Sequence, residues 1–156
     1  METKPVKESK VEIVQQMTHQ DANLLGNVHG GVILKYIDNT AALVACKHSQ
    51  KNCVTASVDR VDFHHPVYIG DIIHVMASIN YTGKTSMEVG VRVEAENFIT
   101  GERRHTSSAY LTMVALVKGH PSSIPPAIFE TENEKRRNRD ALDRREIRLK
   151  TRKKSS

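Results

Sequence analysis

The residues with the clearest capacity for chemistry lie in NVHGGVILKYID, residues 27–38. Gly30 and Gly31 stand where a polar turn gives way to helically spaced apolar residues, so their amides fall among the first N–H groups of a helix, which have no acceptor within it. With no Cβ in the way, a ligand can approach that backbone closely. Free amides at the positive end of a helix suit a developing oxyanion or a phosphate. A Gly-Gly pair also makes an ordinary turn, and both readings are open on these residues alone. Asp38 lies two helical turns beyond Gly31, about 10 Å along the axis. It is either a solvated aspartate on a polar stripe with Lys35 and Asn39, or a general base or nucleophile in a partly desolvated cleft.

Other constellations are weaker. His29, His64 and His65 make no metal site: the adjacent His64 and His65 point in opposite directions if extended, and His-Glu-x-x-His is absent. No metal is expected. TGKTS (82–86) resembles the end of a phosphate-binding loop without its upstream glycine. Ser107-Ser108 falls in an apparent strand, with no Gly-x-Ser-x-Gly elbow for a serine nucleophile.

The elements that must position these residues can be read from periodicity. VEIVQQM (11–17) is a short strand, and a loop punctuated by Asn and Gly follows. From Gly31 to about Lys47, Val32, Ile33, Tyr36, Ile37, Thr40, Ala41, Val44 and Ala45 recur with helical spacing, while Leu34, Ala42 and Leu43 are apolar elsewhere on the wheel. Val54–Val58 alternates, Asp59–Arg60 is irregular, and Val61 and Phe63 resume on the opposite parity, as a bulge would produce. Strands over 72–81, 85–95 and 104–117, joined by short turns, form an antiparallel meander. A sheet with one apolar face and a single helix bury one another. The helix is apolar beyond what one sheet covers, which requires a partner surface such as a second copy.

At 156 residues the chain has room for one ordinary domain. Cys46 and Cys53 lack Cys-x-x-Cys spacing and read as reduced, packed thiols. The N-terminus has no apolar signal region and no stretch is long enough to span a membrane, so a soluble, cytoplasmic protein is expected. Residues 1–129 hold twelve Lys/Arg and twelve Asp/Glu, and residues 130–156 hold eleven and six, so the whole net charge of +5 sits in the tail. That tail has only Ala141, Leu142, Ile147 and Leu149 as apolar residues and cannot build a core. It is either disordered or a solvated helix with i,i+4 charge pairs. Interspersed acids and the lack of aromatics disfavour nucleic acid as its partner.

DANLLGNVHGGVILKYID (21–38), VTASVDRVDF (54–63) and PVYIGD (66–71), followed by YTGKTSMEV (81–89) and ENFITG (96–101), resemble the hotdog-fold acyl-CoA thioesterases of the cytosolic acyl-CoA hydrolase type. The resemblance covers roughly residues 11–118. It implies an α+β hotdog fold, a long central helix wrapped by an antiparallel sheet. The expected organisation is a flexible lead over 1–10, the hotdog domain over 11–128 and a charged tail over 129–156. It also implies a homodimer as the minimal unit, with active sites shared between chains and a higher assembly such as a trimer of dimers.

Carried onto this sequence, the resemblance makes Asp38 the catalytic carboxylate and Asn23 its partner from the opposing subunit. The thioester carbonyl would lie against the amides of Gly30 or Gly31, and Asp38 would activate water or attack the carbonyl itself. Asn23 has the donor and acceptor needed to orient either reactant. Asn27, His29, Arg60, Lys84, Ser86, Arg103 and Arg104 are candidates for holding coenzyme A, which is part of substrate and product; no separate cofactor is expected. Two rivals stand beside hydrolysis: a non-catalytic acyl-CoA sensor, and an acyl-thioester hydratase with His29 as base. A sensor has no need of Asp38, and the Asn23/Asp38 combination favours hydrolysis.

Overall fold

A computed structural model describes residues 1–155. In chain order the strands are β1 (Lys4–Pro5), β2 (Val11–Gln16), β3 (Asn52–Phe63), β4 (Ile72–Thr82), β5 (Ser86–Glu96), β6 (Arg103–Val117), β7 (His120–Pro121) and β8 (Ala127–Ile128); the helices are α1 (Gly30–Ser49) and α2 (Glu132–Ser155). The main sheet runs β2-β4-β5-β6-β3 with every neighbour antiparallel, and β7 continues on β6. This curled sheet wraps α1 in the hotdog arrangement.

Alternation builds the core. Met87, Val89, Val91, Val93 and Ala95 of β5 share a face with Ala109, Leu111, Met113 and Ala115 of β6, and all are buried. Against them α1 sets Ile33, Ile37, Ala41, Val44 and Ala45. The helix begins one residue before the expected Gly31 and ends at Ser49, where Gln50 takes a left-handed conformation (φ 56°) and donates its N–H to Cys46. Lys47 occupies its last turn, a favourable place for a cation, while His48 beside it is buried, its pKa lowered by that burial, with Nε2 2.7 Å from Pro125 O.

β3 carries two register shifts, not one. The irregularity expected near Asp59 lies between Val58 and Arg60, and a second lies between Thr55 and Ser57. Strict alternation would put Thr55 and Val58 on opposite faces. The extra residue at Ala56 brings both to the face turned toward α1, since Thr55 pairs with Met113 and Val58 with Leu111.

Both chain ends add contacts that the sequence does not announce; the tail is a helix, the second of its two expected forms, with an i,i+4 pair between Glu146 and Lys150. The first ten residues do not lie outside the domain: β1 pairs in parallel with β8, and Val6 is fully buried in the core. The tail is neither disordered nor solvated all round. α2 opens on a reciprocal cap, in which Thr131 Oγ1 accepts from Glu134 N (3.1 Å) and Glu134 Oε1 accepts from Glu130 N (2.8 Å) and Thr131 N (3.3 Å). It then docks on the outer face of the sheet. Ala141 is buried there, Asn138 Nδ2 donates to Asn80 O (2.9 Å), and Arg144 makes a bidentate pair with buried Glu88 (2.9 and 2.8 Å) while covering the Tyr110 ring at 3.7 Å. Asn80 sits close against the sheet because residue 90 is glycine; a Cβ there would lie 2.4 Å from Asn80 Nδ2.

Candidate active site

The loop before α1 is held by its own polar groups. Asn23 N donates to Asn27 O (2.7 Å), and Asn23 Oδ1 accepts from Leu25 N (2.9 Å) and Asn27 N (3.1 Å). Gly26 completes the turn at φ 85°, a conformation that costs glycine little. Leu24 and Leu25 project fully into solvent at the tip. The Asn23 side chain thus spends its oxygen on the loop and keeps only its amide nitrogen for anything outside it. Asn27 meets Tyr68 in an isolated antiparallel bridge.

His29 caps α1, its Nδ1 accepting from Gly31 N at 2.9 Å. The two glycine amides are therefore unequal: Gly31 is engaged, while Gly30 has no acceptor in the hydrogen bonding of the described residues. Gly30 borders a pocket of about 220 Å³ lined by Val28, Ile33, Phe63, Pro66, Val67 and Ser107, among others. A Cβ on Gly30 would touch the Phe63 ring at 3.8 Å.

Asp38 is half-buried on the flank of α1 that faces β3, and Thr55 Oγ1 donates to its Oδ1 at 2.5 Å. No described cation pairs with it. Of the two readings open to Asp38, a polar stripe shared with Lys35 and Asn39 describes its neighbours on the helix but not this cross-element bond. Nothing in the local pattern marks Thr55; it reads as one more polar residue in Val54–Val58, and only the bulge at Ala56 turns it inward. Within one chain, Asp38 stands about 12 Å along the helix from Gly30, and no contact links it to Asn23.

The basic candidates are dispersed. Lys84 and Ser86 lie at the β4–β5 turn, and Arg103 and Arg104 enter β6 at the other end of the sheet, about 30 Å away along β5. Arg104 is already committed to the Pro66–Asp71 connection, donating to Asp71 Oδ2 (2.6 Å) and Pro66 O (3.1 Å) and lying over Tyr68. Arg103 pairs with Glu94, and Arg60 with Asp62. A single chain does not gather these five side chains around one phosphate. A larger groove of about 710 Å³ lies between α2 and the outer face of the sheet, and none of Asn23, Gly30, Gly31 or Asp38 lines it.

Residues 25–100 match the family model described as the thioesterase superfamily. Protein VdlD of Helicobacter pylori is 42% identical over 127 residues, covering 81% of this chain and 73% of that protein. An apo-hexameric acyl-CoA thioesterase of known structure superposes with a TM-score of 0.94 at 41% identity over 97% of both chains. The acyl-CoA hydrolase of Staphylococcus aureus, solved with butyryl coenzyme A, coenzyme A and coenzyme A disulfide, gives 0.91 at 36% identity over 98% of this chain and 94% of that one.

Proposed function

The chain belongs to the hotdog-fold acyl-CoA thioesterases of the thioesterase superfamily, and from that premise we propose that it hydrolyses acyl-CoA to a free carboxylic acid and coenzyme A at a site shared by two protomers. The observation that carries the residue assignment is the Thr55–Asp38 bond: a half-buried carboxylate without a cation, held by a hydroxyl on the edge strand. That edge is open. β3 pairs with β6 on one side only, and beside it Leu34, Leu43, Val58 and Phe63 leave an apolar flank exposed.

A second copy covers that flank if the two β3 strands pair antiparallel about a two-fold axis near Asp59. The axis sets Thr55 of one protomer opposite Phe63 of the partner subunit, so that Asp38 faces the partner's Gly30 and the loop carrying the partner's Asn23. The pairing satisfies an unpaired strand edge and assembles the separated groups in one step. A hexameric relative supports assembly beyond a single chain, and a trimer of dimers is the proposed form of it.

In this site the thioester oxygen lies against the Gly30 amide, joined by Gly31 when the His29 ring releases it. Negative charge forming on that oxygen is stabilised by donors already in place. In one route Asp38 takes a proton from water as the water oxygen bonds to the carbonyl carbon; the carbon–sulfur bond then breaks and coenzyme A leaves as its thiolate. In the other the carboxylate attacks the carbonyl carbon directly and the carbon–sulfur bond breaks to expel the coenzyme A thiolate; water then cleaves the resulting anhydride, releasing the acid and returning the Asp38 carboxylate. Thr55 orients the carboxylate, and the Asn23 amide nitrogen orients the water or the carbonyl. The assignment is tested by free-thiol release from a panel of acyl-CoA esters. Tight binding without thiol release would instead favour an acyl-CoA sensor.

A further inference from the structure

The row of β6 side chains that faces α1 reads Ala115, Met113, Leu111, Ala109 and then Ser107. Ser107 is 1% exposed, it lines the 220 Å³ pocket beside Gly30, and its Oγ has no hydrogen-bonding partner among the described residues. Its neighbour Thr106 is satisfied, donating to Val93 O at 3.2 Å. An apolar residue would extend the row without cost, whereas a buried hydroxyl without a partner costs about 1–3 kcal/mol. A ligand group in the pocket would supply the missing partner.

We infer that this pocket receives the acyl group and that Ser107 hydrogen-bonds an oxygen carried on it, so that the enzyme favours short acyl-CoA esters with a hydroxyl or keto group beyond the thioester carbonyl. The inference rests on the hydrolase reading above, with the carbonyl oxygen at the Gly30 amide. Two groups then leave the carbonyl carbon. The sulfur leads to a long arm ending in phosphates, which must run toward open solvent. The acyl group is the part that a small recess can hold. Val28, Ile33, Phe63, Pro66 and Val67 give that recess apolar walls, His64, His65 and Thr106 also border it, and with the Thr106 hydroxyl spent on Val93 O the Ser107 hydroxyl is the one left without a partner to orient a ligand. At roughly 30 Å³ per water-sized group, the volume admits about seven such groups. A butyryl chain with one added oxygen is within that limit. A long fatty chain has to pass Phe63, whose ring is half exposed in the single chain and covered by the second copy in the proposed dimer.

The test compares kcat/KM for butyryl-, 3-hydroxybutyryl-, acetoacetyl- and palmitoyl-CoA in the full-length protein and in Ser107→Ala. The unmodified enzyme should prefer an oxygenated four-carbon ester to butyryl-CoA and should turn over palmitoyl-CoA least. Ser107→Ala should lower the oxygenated-to-butyryl ratio about three- to tenfold, the range expected of one neutral hydrogen bond. Hydroxyacyl and ketoacyl arms separate an acyl oxygen that also donates from one that only accepts. Ser107→Cys fills the site with a slightly larger group and weakens both donor and acceptor; it should move the ratio the same way, so a poorly folded alanine variant leaves a readout. A ratio at or below one in the unmodified enzyme, or a ratio unchanged in both variants, overturns the inference while leaving hydrolysis standing. No thiol from any ester overturns both.

Discussion

At the scale of single residues, the proposed site gives Asp38 the reaction and Thr55 the task of holding it, and the two roles separate kinetically. Asp38→Asn should lower kcat about 10²–10⁴-fold, the usual worth of a general base, with little change in KM. Near-normal turnover in that variant would remove Asp38 from the mechanism. Thr55→Val deletes a hydrogen bond to a charged group, worth about 1.5–3 kcal/mol, so kcat should fall roughly ten- to a hundredfold and Thr55→Ser should restore most of it. Asn23 is less simple, because its oxygen holds Leu25 N and Asn27 N. Asn23→Ala loses the loop as well as the outward amide nitrogen. Asn23→Asp keeps the oxygen that accepts both loop bonds and exchanges the donor for a negatively charged oxygen, so a kcat loss at least as large as that of Asn23→Ala would tie the effect to the outward amide nitrogen and not to the loop.

At the scale of elements, the attachment of α2 rests on a few polar contacts and one small apolar residue. Arg144→Ala strands the Glu88 carboxylate in a buried site, a loss of about 3–5 kcal/mol for a broken buried pair. Replacing both partners by leucine should cost much less, since no charge is then left behind. Denaturant unfolding gives the two values, and hydrogen exchange over residues 132–154 shows whether the helix has come off the sheet. The helix start should also respond to acid. Burial pushes the Glu134 carboxyl up, but the N–H groups of Glu130 and Thr131, with Lys10 and Arg137 nearby, outweigh it and hold its pKa below the usual 4.5. A depressed folded value means that the cap's contribution is complete above about 4.5 and is lost as pH falls through the lower folded value. Protection factors at the first turn of α2, taken relative to the intrinsic exchange rate at each pH, should therefore fall below that point. Glu134→Gln should show the lowered protection at neutral pH as well.

These contacts explain what could be read in advance and what could not. α1 and the meander were legible because burial repeats along them with helical period or by alternation: Ile33, Ile37, Ala41 and Val44 on one, Val89, Val91 and Val93 on the other. The fit of α2 has no such repeat. It uses Ala141 and the sides of Asn138 and Arg144, residue types that suit water equally well. Thr55 was hidden for a different reason. Its orientation depends on a bulge at Ala56, and its partner Asp38 is brought near only when helix and sheet pack. Ser107 carried a visible signal, a hydroxyl continuing an apolar row, but whether that hydroxyl finds a partner is settled by the packing around it.

At the scale of the whole molecule, the proposed site draws Asp38 and Gly30 from different chains, so on that reading catalysis requires a second chain, and complementation tests this directly. Take one chain with Asn23→Ala and another with Asp38→Asn, each inactive alone. In a mixed dimer, one composite site receives both lesions, and the other receives an intact Asn23 from the second chain and an intact Asp38 from the first. Random pairing makes half the dimers mixed, and each has one sound site of two, so about a quarter of the unmodified activity should return. If both residues served a site within one chain, every site would keep a lesion and mixing would change nothing. In the proposed dimer the paired β3 edges bury the contact, so subunits are exchanged by unfolding and refolding the chains together, with unmodified protein refolded alongside to set the yield. Two differently tagged chains, purified through both tags, verify that mixed dimers are present. Recovery near the expected fraction would establish the shared site. Tag-verified mixed dimers as inactive as their parents would place both residues in the same chain's site, or remove one of them from the chemistry.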